Sequence, residues 1–299
     1  MVFHQHEVLP QCPHGFDQAR LIHRAHIRRE SRVKLFTQRH RLPKTPLQQP
    51  ACCAGAHLRE PNVLFVMHSL DISNCADPSA LALSLETMQL YNYFRSSASF
   101  RVRIALNLKG LPFEYISVHL AKGDHKKLEY AQIAADGLVP LLDTGTQKLS
   151  QSMAIIEYLD ELHPTPALLP SDALGKARVR ALAQSIACEI HPLNNLRVLK
   201  YLTKDMAQSE EVKNTWYVHW CRQGLEAFER QLSQQPQGLY CYGDTPTLAD
   251  CCLVPQIFNA QRFNTPLDGL PRTVAAFDSC MKHEAFQKAS PKNCPDFEA

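Results

Sequence analysis

Ser96 and Ser97 stand between an apolar run and an amphipathic one in the stretch Leu90–Gly110, LYNYFRSSASFRVRIALNLKG. A hydroxyl placed where a helix begins can donate one hydrogen bond and accept another. Beside it lie backbone N–H groups with no intrahelical partner and the positive end of the helix dipole, an arrangement that meets an anion. Such a place also lowers the pKa of a thiol brought to it. Ala98 follows the serines, so the stretch carries no thiol of its own. No G-x-S-x-G elbow is present, which leaves a serine hydrolase poorly supported. Plain N-capping accounts for the two serines equally well. Gln151-Ser152 places a second amide–hydroxyl pair at a second helix start, suited to a carboxylate.

The elements that must position these residues follow from periodicity. Leu90–Phe94 alternates as a buried strand, and Phe100, Ile104, Ala105 and Leu108 recur at helical spacing, with Gly110 and Pro112 to end the helix. Glu114–His119 reads as a second strand, and the β-α-β order predicts a parallel crossover. Lys122–Ala135 is polar and reads as a short helix with a loop. Pro140 opens a third strand in Gly137–Asp143, and Lys148–Ser150 forms a fourth after a turn. Ser152 is an N-cap candidate for a helix that Pro164 and Pro166 terminate. This is a compact α/β unit of about eighty residues. From 172 to 290 only helical periods occur, and Thr247–Asp250 is a capping-box pattern with Asp in the usual Glu place.

Of 299 residues, 45% are apolar and 20% charged, a globular balance that allows two domains. The net charge of +3 resides in residues 1–87, with ten Lys/Arg against seven Asp/Glu; residues 88–299 carry 22 of each. That neutrality gives no reason to propose nucleic acid as a partner. Eleven cysteines are scattered, odd in number and without a C-x-x-C, which leaves a zinc site unsupported and fits a reducing cytoplasm. Cys188, Cys221, Cys251, Cys252 and Cys280 are expected to be small core residues. No apolar run reaches membrane-spanning length. Residues 1–87 mix His, Arg, Pro and Cys without a sustained period and read as a disordered, non-domain extension, with Met88 as a plausible initiator. The mass of the natively expressed protein tests that expectation.

The block Tyr91–Gly110, with its Arg-Ser-Ser and Arg-Val-Arg-Ile-Ala-Leu, resembles the zeta-class glutathione transferases and, within them, the maleylacetoacetate isomerases. The resemblance continues through Leu138-Val-Pro140, Gln151–Leu159, Pro164–Pro170, His191–Lys200 and Thr247–Gln256, and so covers residues 88–299 in order. It implies a thioredoxin-like α/β domain over 88–168 that binds glutathione, an all-helical domain over 169–299 that shapes the substrate site, and a homodimer. By the same resemblance Ser96 and Ser97 hold the glutathione thiolate, with Ala98 beside them in place of the usual cysteine. Val139 next to a cis Pro140 would pair with the cysteinyl part, and Gln151 and Ser152 would take the γ-glutamyl end. His125, His191, Asn195 and Arg197 would complete the pocket. Ala134-Ala135-Asp136 departs from the family's Asn-Pro.

The expected reaction is the cis–trans isomerisation of maleylacetoacetate to fumarylacetoacetate. Arg95 and Arg262 are candidates for steering the substrate's carboxylate, because a guanidinium fork matches that group. Arg101 and Arg103 are expected to be structural, meeting carboxylates of the helical domain. Maleylpyruvate isomerisation is the nearest alternative, disfavoured by Leu196 ahead of Arg197. A general transferase acting on haloacids is a second alternative.

Overall fold

The computed structural model describes residues 88–236 and 238–298. The reading of residues 1–87 lies outside them. β1 (Met88–Asn92), β2 (Phe113–Ser117), β3 (Leu141–Asp143) and β4 (Lys148–Ser150) form one sheet in the order β2-β1-β3-β4. β1 and β2 run parallel with Leu90 opposite Tyr115, as the crossover predicts, while β3 is antiparallel to both β1 and β4. β2 ends before the expected His119, because the His119 N–H turns away to the Asp124 carboxylate at 3.0 Å.

α1 (Ser97–Leu108) makes the crossover, α2 (Leu128–Ala131) is a short turn, and α3 (Ser152–Leu162) follows β4. The rest is helical: α4 (Ala173–Gln184), α5 (Leu196–Lys200), α6 (Glu210–Ser233), α7 (Leu248–Arg262), α8 (Pro271–Lys282) and α9 (Glu284–Ala289). Wide π turns at Ser185–Ile190 and Tyr201–Asp205 extend α4 and α5. No described helix is long and apolar enough to cross a membrane.

α1 is the hub of the packing. It lies between α3, α7 and α9, so it is buried on almost every side. Leu90, Phe100, Ile104, Leu142 and Ile155 join Val179, Leu253 and Ile257 in one continuous core. Burial of that kind stabilises by roughly 25 cal/mol per Å² of apolar surface. Two arginines share the buried helix. Arg103 donates to Asn92 Oδ1 at 3.0 Å and to the carbonyls of Tyr93, Phe94 and Ala289 at 3.4, 3.1 and 3.0 Å. It is structural as expected, but it binds the Tyr93 and Phe94 carbonyls just past the end of β1 and the Ala289 carbonyl at the end of α9, not carboxylates. Arg101 also meets no carboxylate; it donates to Ser152 Oγ at 3.3 Å.

At the start of α7 the capping box holds. Asp250 accepts from the Thr247 N–H and hydroxyl, each at 2.8 Å, and from the Cys241 N–H at 2.9 Å. Cys221, Cys251, Cys252 and Cys280 are core residues, whereas Cys188 is exposed, which corrects its expected place. Helical geometry is the reason: the buried face runs through Val179, Leu182, Ala183, Ile186 and Ile190, and Cys188, two residues after Ile186, falls on the opposite side.

Candidate active site

A cleft of about 820 Å³ runs between the sheet's loop ends and the helices α4 to α7. At its floor, α1 begins. Ser96 is the N-cap, with extended backbone and Oγ accepting the Ser99 N–H at 3.2 Å. Its hydroxyl proton is therefore uncommitted, and the half-buried side chain faces the cleft. Ser97, 5% exposed, sits deeper and its Oγ receives the Asn259 side-chain N–H from α7. The two serines thus have different partners. Ala98 lines the same wall.

A second wall comes from the loop before β3 and the start of α3. Val139–Pro140 is a cis peptide, in agreement with the expectation, and the Tyr130 hydroxyl holds the preceding Leu138 carbonyl at 2.6 Å. Gln151, not Ser152, occupies the N-cap position of α3. Ser152 lies one residue inside the helix, where its Oγ accepts a hydrogen bond from the Arg101 guanidinium instead of capping. Gln151 has φ +69°, a conformation that costs a non-glycine residue about 1–3 kcal/mol and is retained where the surroundings require it. Its amide points to Asp136 Oδ2 at 3.5 Å.

The helical side brings His191, Asn195 and Arg197 to the opposite face. Asn195 caps α5 by accepting the Arg197 N–H at 3.1 Å, and its Nδ2 faces His191 Nε2 at 3.3 Å. Burial, reinforced by Arg101 and Arg197, pushes the His191 pKa down to about 3, so this imidazole is neutral. His125, in a short 3-10 turn (Asp124–Lys126), is also lowered, by burial first and then by Lys126 and Lys200. Its Nδ1 is buried without a partner. Arg95 is exposed and donates to the Glu298 carbonyl at 3.2 Å. Arg262 closes α7, packed over Phe263 with its pKa lowered by burial.

Every residue assigned to the site from the sequence therefore lines one cleft: the serine pair with Ala98, the Val139–Pro140 turn, Gln151–Ser152, His125, His191, Asn195 and Arg197, and Arg95 and Arg262. Sequence reasoning missed two others. Arg101, 2% exposed, has Nε and Nη2 buried without partners beside Ser152. Asn259 contacts Ser97 directly. Helical spacing was the available signal, since Arg101 is four residues after Ser97 and Asn259 three before Arg262.

The electrostatics are one-sided. Arg95, Arg101, Lys126, Arg197, Lys200, Lys213 and Arg262 face Asp136, Asp205 and Glu210, and Glu210 is already paired with Lys213. Unsatisfied guanidinium protons, helix starts and surplus cations make the cleft a receptor for a ligand bearing several negative charges.

Comparison with known proteins bears on what that ligand is. Residues 86–161 match the glutathione S-transferase N-terminal domain and residues 221–284 the C-terminal domain. A maleylacetoacetate isomerase of Pseudomonas aeruginosa is 46% identical over 213 residues, covering 70% of this chain and 98% of that protein. A solved bacterial maleylpyruvate isomerase, described as a zeta-class glutathione S-transferase, is 50% identical with TM-score 0.69, covering 70% of this chain and all of that one. The chain belongs to the zeta-class glutathione transferase family. The structure of a maleylacetoacetate isomerase from Anaeromyxobacter dehalogenans with glutathione in its active site is 38% identical, with TM-score 0.64, over 71% of this chain and 98% of that one. Within the family frame, the α/β part with its cis proline and the all-helical part are the two halves of a glutathione transferase architecture.

Proposed function

We propose that this zeta-class protein is a glutathione-dependent cis–trans isomerase of a maleyl-substituted keto diacid, with maleylacetoacetate as the substrate read from the sequence. The observation that carries the proposal is the pairing, in one cleft, of a hydroxyl-lined helix start with a separate group of cations. The site fits glutathione. The unpaired Nε and Nη2 of Arg101, next to Ser152 and Gln151, suit the γ-glutamyl carboxylate, and the start of α1 suits the thiolate. When bound, glutathione supplies a thiolate that adds reversibly to the cis double bond and so allows rotation about it.

The chain's own residues do the rest. Ser96 donates its free hydroxyl proton to the sulfur, Ser97 supports it from deeper in the helix start, and the α1 dipole favours the ionised form. Ala98 leaves the wall without a competing thiol. The Val139 backbone beside cis Pro140 aligns the cysteinyl part. Neutral His191, with Asn195, offers hydrogen bonds that do not change with pH near neutrality, and His125 lines the same cleft. Arg95, Arg197 and Arg262 hold the substrate's carboxylate and enolate oxygens.

Maleylpyruvate is the second reading, favoured by the 50%-identical relative; against it stands Leu196 between Asn195 and Arg197. Parallel assays of both substrates with catalytic glutathione decide. A higher kcat/KM for maleylpyruvate reverses the choice, and stoichiometric consumption of glutathione identifies a transferase in place of an isomerase. The proposal extends to a cytoplasmic homodimer with domains at 88–168 and 169–299.

A further inference from the structure

The Ser97 hydroxyl is held by a residue from the other half of the molecule. Asn259 lies on α7, one turn before Arg262, and its Nδ2 donates to Ser97 Oγ. The amide's Oδ1 is buried and has no partner. In the reverse orientation the NH2 group would lie where the buried Oδ1 now sits, with both N–H donors unpaired; the observed one gives one N–H to Ser97 and leaves the second N–H and the carbonyl oxygen without a protein partner, so donation toward Ser97 keeps fewer donors unpaired. The direction of this hydrogen bond has a chemical consequence. A serine oxygen that accepts from a neighbour keeps its own proton for another acceptor, whereas one that donates to a neighbour has spent it.

We propose that Asn259 is a positioning residue: by donating to Ser97 Oγ it reserves the Ser97 proton for the thiolate in the cleft. The inference rests on the reading that the Ser96–Ser97 pair holds the thiolate. It assigns α7 two tasks one turn apart, polarising the thiolate site through Asn259 and holding substrate through Arg262. The same packing of α7 on α1 delivers both.

The test is the pKa of the glutathione thiol in the enzyme complex, followed by the ultraviolet absorbance of the thiolate as pH is raised, with no second substrate present. Ser97→Ala is expected to raise that pKa by about one unit, and Asn259→Ala by about half of that, since hydrogen bonds to a charged group are among the stronger ones. In a Ser97→Ala background, Asn259→Ala should add nothing, because its effect passes through the missing hydroxyl. Asn259→Asp, nearly isosteric, converts the donor to an acceptor and should raise the pKa more than Asn259→Ala does; its effect in the Ser97→Ala background isolates the added charge. Thermal unfolding of each variant separates loss of fold from loss of polarisation.

An unshifted pKa in both Asn259 variants, or an Asn259→Ala shift that is equally large without Ser97, overturns the proposal. If Ser96→Ala raises the pKa while Ser97→Ala does not, the site reading stands and the role of Asn259 falls. If neither serine variant moves it, the site reading itself falls and takes the proposal with it.

Discussion

The Asp296 carboxylate accepts the Phe94 backbone N–H at 3.3 Å, two residues before the serine pair. The same carboxylate accepts from the Tyr115 hydroxyl at 2.5 Å and the Ser117 hydroxyl at 2.9 Å on β2. Phe297 stacks edge-on against Phe94 with ring centroids 5.6 Å apart, and the Glu298 carbonyl receives Arg95. Segment 294–298 therefore braces the loop that carries Arg95, Ser96 and Ser97. Asp296→Ala leaves a partly buried hydroxyl and amide without an acceptor. It is expected to cost about 1–3 kcal/mol, or about 2–4 °C in Tm for each kcal/mol. Asp296→Asn, which keeps one acceptor oxygen, should lose less. Calorimetry checks the ranking, and equal Tm values for all three proteins would refute it.

Ser96→Ala tests the donor at the floor of the cleft. Turnover requires the ionised thiol, so kcat/KM rises with pH through the pKa of bound glutathione and then levels. Removal of a hydroxyl bonded to the anion raises that pKa, which moves the rise to higher pH. A hydrogen bond to a charged group contributes about 1.5–3 kcal/mol, roughly ten- to a hundredfold in kcat/KM at neutral pH. The helix also loses its cap to Ser99, a further cost of about 1 kcal/mol in stability. A variant with lower Tm but an unmoved pH profile would leave Ser96 as a cap alone.

Local chemistry was legible in the sequence, and packing was not. The serine pair, Gln151–Ser152, the Thr247–Asp250 box and the strand–helix order all follow from patterns within a few residues, and each is present. Arg101 and Asn259 became site residues only because α1 is wrapped by α3, α7 and α9, which a single chain's periodicity does not reveal. Arg101 was expected to find a carboxylate and instead presents bare N–H groups next to Ser152. Cys188 was misplaced because apolar surroundings in sequence do not fix a helical face: it stands two residues after buried Ile186 and so points the other way. Gln151 holds the cap position because its backbone is the last outside helical geometry, with φ +69°, while Ser152 is already in the helix and its oxygen accepts from Arg101.

Arg262→Ala should separate substrate binding from thiol activation. The groups that act on this guanidinium are Tyr217, Arg95 and Tyr93, whereas Arg101 is held at Ser152. KM for the diacid is expected to rise about ten- to a hundredfold, the loss of a charge-assisted bond, while the affinity for glutathione and the thiol pKa stay near wild type. Arg262→Lys should recover part of the loss but not the paired geometry. The surplus of cations also predicts that kcat/KM for the dianion falls as salt rises from low to physiological strength, since the Debye length shortens from about 30 Å at 0.01 M to about 8 Å. A salt-insensitive kcat/KM would remove steering from the account.

His191 gives the clearest pH signature of the fold. Its pKa of about 3 lies below the ordinary 6.5, because the folded protein desolvates the ring and sets Arg101 and Arg197 near it. Between those two values the unfolded chain binds a proton that the folded chain refuses. Stability therefore rises with pH across that window and falls as pH is lowered from about 6.5 toward 3. His125 acts in the same direction. His191→Gln keeps a side chain able to meet Asn195 but cannot titrate, so its loss of stability between pH 7 and pH 5 should be smaller than that of the wild type. Denaturant unfolding at the two pH values measures the difference directly. Catalysis should show the complement: with His191 already neutral, the pH profile of kcat/KM has no inflection from this imidazole near 6.5, and His191→Gln leaves the shape of the profile unchanged while KM shifts. A pH dependence of stability identical in the two proteins would mean that His191 takes up its proton in the folded state as readily as in the unfolded one.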